Sequence, residues 1–225
     1  NALSFVYAAS SSCYGSNPST PTSEDEPIKL EYPYALSKYL GEQTALHWHH
    51  VYGLPVVSLR IFNAYGRRSR TSGTYGAMFG VFLKQKLAGE NLTVVGDGHQ
   101  ARDFVHVKDV ANAFFLAAKS PEAGRIYNIG SGKSTSVLEI VSLLNHPYVN
   151  IPDRPGEPKI TNADILQFTD TYKWRPTIKI AEGVAEMMEN IAEWETAPLW
   201  NVETIEAATV DWFKYLKGRK SIENQ

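Results

Sequence analysis

Short apolar runs of strand-forming residues alternate along the chain with longer segments whose apolar positions recur at helical spacing. The apolar runs predict strands over residues 3–9, 56–62, 92–95 and 125–129. The longer segments predict helices over residues 34–52, 77–88, 107–119, 136–145, 163–172, 180–194 and 203–216. Strands that alternate with helices predict an α/β fold with a parallel sheet.

Composition excludes several classes of function. The formal net charge of the 225 residues is -2, so we expect no broad basic surface for nucleic acid. The apolar runs are short and interrupted, which argues against a membrane span, and the first residues carry no signal-peptide pattern. Cys13 is the only cysteine, so no internal disulfide can form and a reducing compartment is favoured. We therefore expect a soluble, cytoplasmic protein.

Tyr34 and Lys38 lie four residues apart on the first predicted helix, so both side chains fall on one face. A phenol has a pKa of ~10 in water, which is too high for a base at neutral pH, and a nearby ammonium lowers such a pKa. The pair could therefore accept a proton from a substrate. Any surface helix can also carry this spacing by chance, so the pair alone leaves both interpretations open.

Polar residues follow two of the predicted strands, where ligands gather in parallel sheets. Ser10 follows the first strand, and its hydroxyl could bond an oxygen of a reacting ligand. Phe62 and Asn63 lie at the end of the second strand. Further motifs follow in this order: Gly-Asp-Gly at 96–98, Arg-Asp-Phe-Val-His-Val-Lys-Asp at 102–109, Tyr-Asn-Ile-Gly-Ser-Gly at 127–132, Arg-Pro-Gly-Glu at 154–157 and Lys-Trp-Arg-Pro at 173–176.

As an ordered series from about Phe5 to Trp194, these motifs resemble the extended short-chain dehydrogenase/reductase family of NAD-dependent epimerases and dehydratases, most closely its UDP-sugar 4-epimerases. The resemblance implies the C-terminal part of a Rossmann-like parallel sheet with a smaller α/β substrate-binding domain. It assigns residues 1–66 to the remaining part of the NAD-binding Rossmann domain and residues 197–225 to a helical C-terminal extension. The region between them, 67–196, is then mainly substrate-binding, with returning Rossmann elements.

The family's Gly-x-x-Gly-x-x-Gly loop, which holds the NAD pyrophosphate, does not occur before the first predicted strand. We therefore expect the first half of the NAD-binding domain to be missing and the 225 residues alone to be inactive. A nucleotide-sugar-binding fragment without catalysis stays open as an alternative.

The resemblance also implies roles for residues near the NAD cofactor. Tyr34 matches the family's catalytic base, and Lys38 matches its partner, which also binds the nicotinamide ribose. Ser10 matches the catalytic Ser or Thr that contacts the sugar, although it could also be an ordinary turn hydroxyl. Phe62 lies where the family's strand end touches the nicotinamide.

The nucleotide sugar is implied to be held by its diphosphate, because the sugar itself must turn over during the reaction. Arg102 and Arg154 match the family's phosphate-binding arginines, and guanidinium groups suit a diphosphate. Asn63 matches the substrate-binding Asn. Thr161 lies where the family gates the space beside the sugar C2, and a small residue there admits N-acetylated sugars. Arg102 could instead pair with a neighbouring aspartate, and Thr161 could be an ordinary loop hydroxyl.

The implied reaction is 4-epimerisation of a UDP-hexose or a UDP-N-acetylhexosamine, with transient transfer of the C4 hydride to NAD. The family's 4,6-dehydratases carry Asp and Glu directly after the catalytic Ser or Thr, and here those positions hold Ser11 and Ser12. Dehydration and decarboxylation are therefore disfavoured. A dehydratase or reductase of the same family stays open as the second alternative.

Among further partners we expect a second copy of the chain, because Trp200, Trp212 and Phe213 of the extension are expected to pack on something beyond it. No metal is expected. The histidines of segment 47–50 are spread around a helix, and no acid or cysteine cluster accompanies them.

Overall fold

The computed structural model describes residues 4–69, 78–119, 121–153 and 157–216. The strands are β1 (Phe5–Ser10), β2 (Val56–Ile61), β3 (Asn63–Tyr65), β4 (Leu92–Val95), β5 (Ala101–His106), β6 (Arg125–Ile129), β7 (Ser134–Ser136) and β8 (Tyr148–Ile151). The helices are α1 (Pro33–Tyr52), α2 (Met78–Ala88), α3 (Val107–Lys119), α4 (Val137–Leu144), α5 (Leu166–Tyr172), α6 (Ile180–Glu189) and α7 (Val202–Leu216). Two 3-10 turns occupy Ser11–Tyr14 and Ile191–Trp194.

A parallel sheet of β1, β2 and β6, with β2 in the centre, carries the candidate site. Its register pairs Ser10 of β1 with Ile61 of β2, and Ile61 with Ile129 of β6. The three carboxyl ends are therefore level with one another. The α/β fold with a parallel sheet, predicted from the alternation of strands and helices, is confirmed.

Helices α1 and α3 cover opposite faces of β2. Ser58 and Arg60 bond to Glu42 of α1. Val57 and Leu59 instead pack in a core with the buried side of α3. Because successive strand residues point to opposite faces, β2 is buried on both sides, which is typical of a central strand in a parallel sheet.

Helix α1 begins and ends at residues suited to its boundaries. Pro33 occupies the first turn, where a backbone N–H would lack an intrahelical partner anyway. Gly53 ends the helix in the left-handed conformation, with φ 67, and donates to His49 O at 2.8 Å. The predicted helix over 34–52 is confirmed to within one residue.

The described residues belong to two compact units. The first comprises Asn1–Gly66, Ala101–Thr135 and Pro158–Gly183, and it contains the sheet of β1, β2 and β6. Two of its three segments, Ala101–Thr135 and Pro158–Gly183, therefore belong to the region 67–196. The second unit comprises Arg67–Gln100, Ser136–Glu157 and Val184–Gln225, and β4 pairs with β8 within it.

Several elements differ from the sequence prediction. Strands β3, β5, β7 and β8 were not predicted, because they are short or mix polar and apolar residues without alternation. Helix α5 begins at Leu166 rather than at 163, since the Ala163 N–H donates to Asp103 instead of entering a helix. Helix α6 ends at Glu189, where a 3-10 turn replaces the predicted continuation.

Helix α7 of the C-terminal extension packs within the second unit. Ile205 and Thr209 are buried on one side of it. Just before the helix, Trp200 O accepts a hydrogen bond from Gln85 Nε2 at 2.7 Å. Trp212 and Phe213 were also predicted to make packing contacts, but their side chains are not among those that the structure describes. Among the described helices, none combines the length and apolar character needed to cross a bilayer.

Candidate active site

The carboxyl end of β1 leads directly into the serine turn, residues Ser10–Tyr14. Ser10 caps this turn, and its Oγ accepts a hydrogen bond from Ser12 N at 3.2 Å. A hydroxyl that accepts one hydrogen bond keeps its O–H as a donor. The turn-capping role and the predicted contact with a sugar oxygen are therefore compatible.

Tyr34 and Lys38 lie on the first turns of α1, which approaches β1 closely. Tyr7 Oη donates to Lys38 O at 3.2 Å, and Lys38 Nζ lies 5.2 Å from the centroid of the Tyr7 ring. Gly41 permits this approach, because a Cβ there would overlap the Tyr7 hydroxyl. The Tyr34 side chain is 45% exposed, so a ligand can reach its phenol.

Phe62 is buried at the end of β2, next to the serine turn. Its backbone N–H donates to Ile129 O at 2.9 Å, which continues the level register of the strand ends. Its ring centroid lies 6.4 Å from that of Tyr14. The structure therefore brings together the predicted nicotinamide contact and the turn that carries Ser10.

Asn63, Arg102 and Thr161 converge within the same unit. Thr161 Oγ1 donates to Asn63 Oδ1 at 3.4 Å, and Thr161 N donates to Ala101 O at 3.1 Å. Arg102 is half-buried, and its Nη1 donates to Ala101 O at 3.0 Å and to Lys159 O at 3.4 Å. Three of the predicted substrate-binding residues are thus neighbours.

The remaining predicted substrate residue, Arg154, lies outside the described residues. The role of Arg154 therefore stays a prediction from the resemblance.

Asp103 is fully buried, and its carboxylate connects the backbone at residues 131–132 to that at Ala163. It accepts hydrogen bonds from Ser131 N at 2.5 Å, Ser131 Oγ at 2.7 Å, Gly132 N at 3.0 Å and Ala163 N at 2.9 Å. Burial raises the pKa of the Asp103 carboxyl, and these hydrogen bonds oppose the rise. The sequence indicated Asp103 only as a possible pairing partner for Arg102, because its actual donors are distant along the chain.

A buried ion pair joins α1 to β2. Glu42 accepts hydrogen bonds from Arg60 Nε at 3.0 Å and Arg60 Nη2 at 2.7 Å, and a third from Ser58 Oγ at 2.8 Å. Burial by itself lowers the pKa of the Arg60 guanidinium, but the hydrogen bonds to Glu42 together with the nearby Tyr14, Glu42 and Cys13 groups raise it above its ordinary value, so Arg60 stays charged. The sequence prediction missed this pair. The one indication was an arginine inside the apolar run 56–62.

Cys13 is buried in the serine turn and packs with Phe62 and Ala163. Burial raises the pKa of its thiol to about 11, so the thiol is protonated at neutral pH. A buried, protonated thiol is a poor nucleophile, so Cys13 contributes packing behind the serine turn.

Known proteins resemble the chain across this region. A model of the NAD dependent epimerase/dehydratase family matches residues 1–130. A putative UDP-glucose 4-epimerase of Methanocaldococcus jannaschii is 33% identical over 189 residues, which cover 81% of this chain and 61% of that protein. A dTDP-glucose 4,6-dehydratase of Streptomyces niveus is 30% identical over 206 residues, which cover 85% of this chain and 59% of that protein.

Among solved structures, the chain resembles UDP-glucuronic acid 4-epimerase from Bacillus cereus, determined in complex with UDP-glucuronic acid and NAD. The TM-score is 0.77 at 31% identity, over 84% of this chain and 62% of that one. The chain thus spans roughly three fifths of the length of these relatives, between 59% and 62%. Because the family model matches 130 of the 225 residues, the chain belongs to the NAD-dependent epimerase/dehydratase family.

Proposed function

We propose that the full-length protein is an NAD-dependent nucleotide-sugar 4-epimerase that acts on UDP-hexoses and UDP-N-acetylhexosamines. One observation carries the proposal: Tyr34 offers an exposed phenol on a helix packed against β1, and Ser10 ends that same strand. A base and a hydrogen-bond donor near the carboxyl end of a parallel sheet suit the oxidation of a sugar alcohol.

In this proposal Tyr34 removes the proton of the sugar 4-hydroxyl while Ser10 donates a hydrogen bond to the same oxygen. After the sugar turns in the pocket, Tyr34 returns the proton to the 4-oxygen. NAD, when bound, supplies the acceptor that takes the C4 hydride and gives it back. The residues suit this cofactor, because Lys38 offers an ammonium for the ribose hydroxyls and Phe62 a buried apolar surface for the nicotinamide.

The diphosphate of the substrate is assigned to Arg102 and Arg154, whose guanidinium groups match phosphate oxygens in charge and geometry. Asn63 and Thr161 are assigned to the sugar. Their mutual contact at 3.4 Å supports the assignment, because it makes them parts of one surface.

Epimerisation is favoured over dehydration because Ser11 and Ser12 occupy the positions after Ser10. Hydroxyl groups there cannot supply the acid that expels water. The test is to incubate the full-length protein with UDP-glucose and with UDP-N-acetylglucosamine and to analyse the products by mass spectrometry and NMR. We expect C4 epimers of unchanged mass. A product lighter by one water would indicate a dehydratase, and binding without conversion would indicate a non-catalytic nucleotide-sugar-binding protein.

Thr161 is proposed to leave room for an N-acetyl group beside the sugar C2. We expect Thr161→Tyr to abolish conversion of UDP-N-acetylglucosamine and to spare that of UDP-glucose. Only the N-acetylated sugar needs the space beside C2 that the tyrosine ring would fill. Thr161→Val is the matched control: it removes the hydroxyl that bonds Asn63 but keeps the volume, so it should not discriminate between the two sugars. Equal loss of both activities in Thr161→Tyr would show that the residue is no gate.

A homodimer is also proposed, through a stripe of exposed apolar side chains on α1. The stripe consists of Leu36, Leu40, Trp48, Val51 and Tyr52. Two copies of one helix can bury such a stripe against each other around a two-fold axis. We expect Trp48→Glu to shift the native mass of the full-length protein towards that of a monomer. Phe115→Glu, which changes an exposed apolar residue of α3, should leave it unchanged, and equal behaviour of the two variants would refute this interface.

A further inference from the structure

The buried ion pair of Glu42 and Arg60 belongs to a longer polar network. Arg60 Nη1 donates to Tyr14 Oη at 3.0 Å, and Tyr14 Oη donates to Asn128 Oδ1 at 2.7 Å. All four residues are at most 3% exposed. The guanidinium carbon of Arg60 also lies 5.0 Å from the centroid of the Tyr14 ring.

This network includes a residue from each of the two elements that carry the proposed catalytic groups. Glu42 lies on α1 one turn beyond Lys38 and two turns beyond Tyr34, so it fixes how that helix is rotated and how far it slides along β2. Tyr14 is the last residue of the serine turn, whose first residue is Ser10. A continuous buried chain of hydrogen bonds therefore connects the helix to the turn.

Stability alone does not require charges at these positions. Apolar residues of similar volume often stabilise a core as well as a buried ion pair does, because the pair loses hydration when it is buried. What a fork of two hydrogen bonds adds is a fixed geometry. Catalysis depends on such geometry, since a misplacement of ~1 Å can lower a rate by ~10²-fold.

We propose that Glu42, Arg60 and Tyr14 are positioning residues that set the separation between the Tyr34 phenol and the Ser10 hydroxyl. This inference rests on the proposed function for its catalytic consequence. The mechanical coupling of helix and turn does not depend on that function, and it can be measured without turnover.

Tyr14→Phe tests the coupling, because it removes only the hydroxyl that joins Arg60 to Asn128. Tyr127→Phe is the matched control: Tyr127 is 1% exposed, and its Oη makes one long contact of 3.5 Å, to Thr171 Oγ1, outside the network. Both variants lose one buried hydroxyl, so a general loss of stability affects both. Hydrogen exchange of backbone amides in the full-length protein is measured for both variants and the parent.

We expect Tyr14→Phe to speed exchange at Ser12 and Leu36, whose N–H groups bond within the serine turn and the first turn of α1. The increase should be about fivefold to tenfold, the effect of losing one buried hydrogen bond from the local structure. Tyr127→Phe should leave these two amides as they are in the parent. Equal exchange rates of the Ser12 and Leu36 amides in the two variants would refute the coupling. That outcome does not depend on whether the protein is an epimerase.

Steady-state kinetics then tests the catalytic consequence. In Tyr14→Phe we expect kcat to fall about tenfold to hundredfold while the dissociation constant of the UDP-sugar stays within about twofold of the parent value. The isotope effect of a C4-deuterated substrate should rise, because hydride transfer then limits the rate. A kcat equal to that of Tyr127→Phe, with a parent that does epimerise, would refute the positioning role and leave the proposed function intact.

Discussion

Replacement of Tyr34 by Phe is expected to lower kcat by about 10²–10⁴-fold, the range typical for the loss of a general base. Tyr34 is 45% exposed on α1, and its phenol is the group proposed to accept the proton of the sugar 4-hydroxyl. Phe keeps the ring but cannot accept a proton. The turnover of UDP-glucose by the full-length protein is the measurement, with NAD and UDP-sugar binding determined separately.

Tyr148→Phe provides the control, since it removes the hydroxyl of a similarly exposed tyrosine that lies on β8, in the second unit. Its kcat should equal that of the parent. If Tyr34→Phe retained kcat within about twofold of the parent, well short of a general-base effect, the assignment of Tyr34 would be wrong.

Replacement of Asp103 by Ala is expected to lower the free energy of unfolding more than any other substitution proposed for this protein. The variant leaves the buried N–H groups of Ser131, Gly132 and Ala163 without their acceptor. Each unsatisfied buried donor costs about 1–3 kcal/mol, so the three together should lower the free energy of unfolding by at least about 3 kcal/mol. Urea denaturation followed by circular dichroism measures the change.

Asp164→Ala is the comparison for Asp103→Ala, because Asp164 lies in the same unit and bonds a single backbone N–H, that of Leu166 at 2.9 Å. The free energy of unfolding of Asp164→Ala should fall by about 1 kcal/mol, the net contribution of one typical hydrogen bond. A loss in Asp103→Ala no greater than in Asp164→Ala would show that water satisfies the freed donors.

The elements that the sequence predicts well have strong local patterns. Strands β4 and β6 and helix α3 have the predicted bounds, because each is a short run rich in strand-forming residues or an amphipathic helix. Helix α1 ends where Gly53 provides a left-handed cap. Strand β5 was missed because its stability comes from pairing with β3 and not from its own composition.

The sequence allowed the candidate site residues to be identified, but it did not predict which other residues they contact. Ser10 and Tyr34 stand out through a strand end and a helical spacing, which are local features. The contact of Thr161 with Asn63 depends on how β5 pairs with β3 and on the bridge from Ala101 to Ile160. Such pairings join residues far apart in the chain, and a single sequence carries no local mark of them.

The same reason explains why the buried network escaped prediction. Arg60 interrupts an apolar run, and Glu42 sits among polar residues on a helix, where a charge is ordinarily solvated. Only the packing of α1 on β2 brings the two together. An arginine inside a buried strand therefore predicts a partner, but the fold decides which residue it is.

The most direct test of the proposed epimerase is the fate of the hydrogen at the sugar C4. UDP-glucose carrying deuterium at C4 is converted by the full-length protein in ordinary water, and the product is analysed by NMR and mass spectrometry. The proposal predicts UDP-galactose of unchanged mass with deuterium still at C4, because the hydride leaves and returns within one closed site. A product that has lost water, or that carries the deuterium anywhere other than C4, would contradict it.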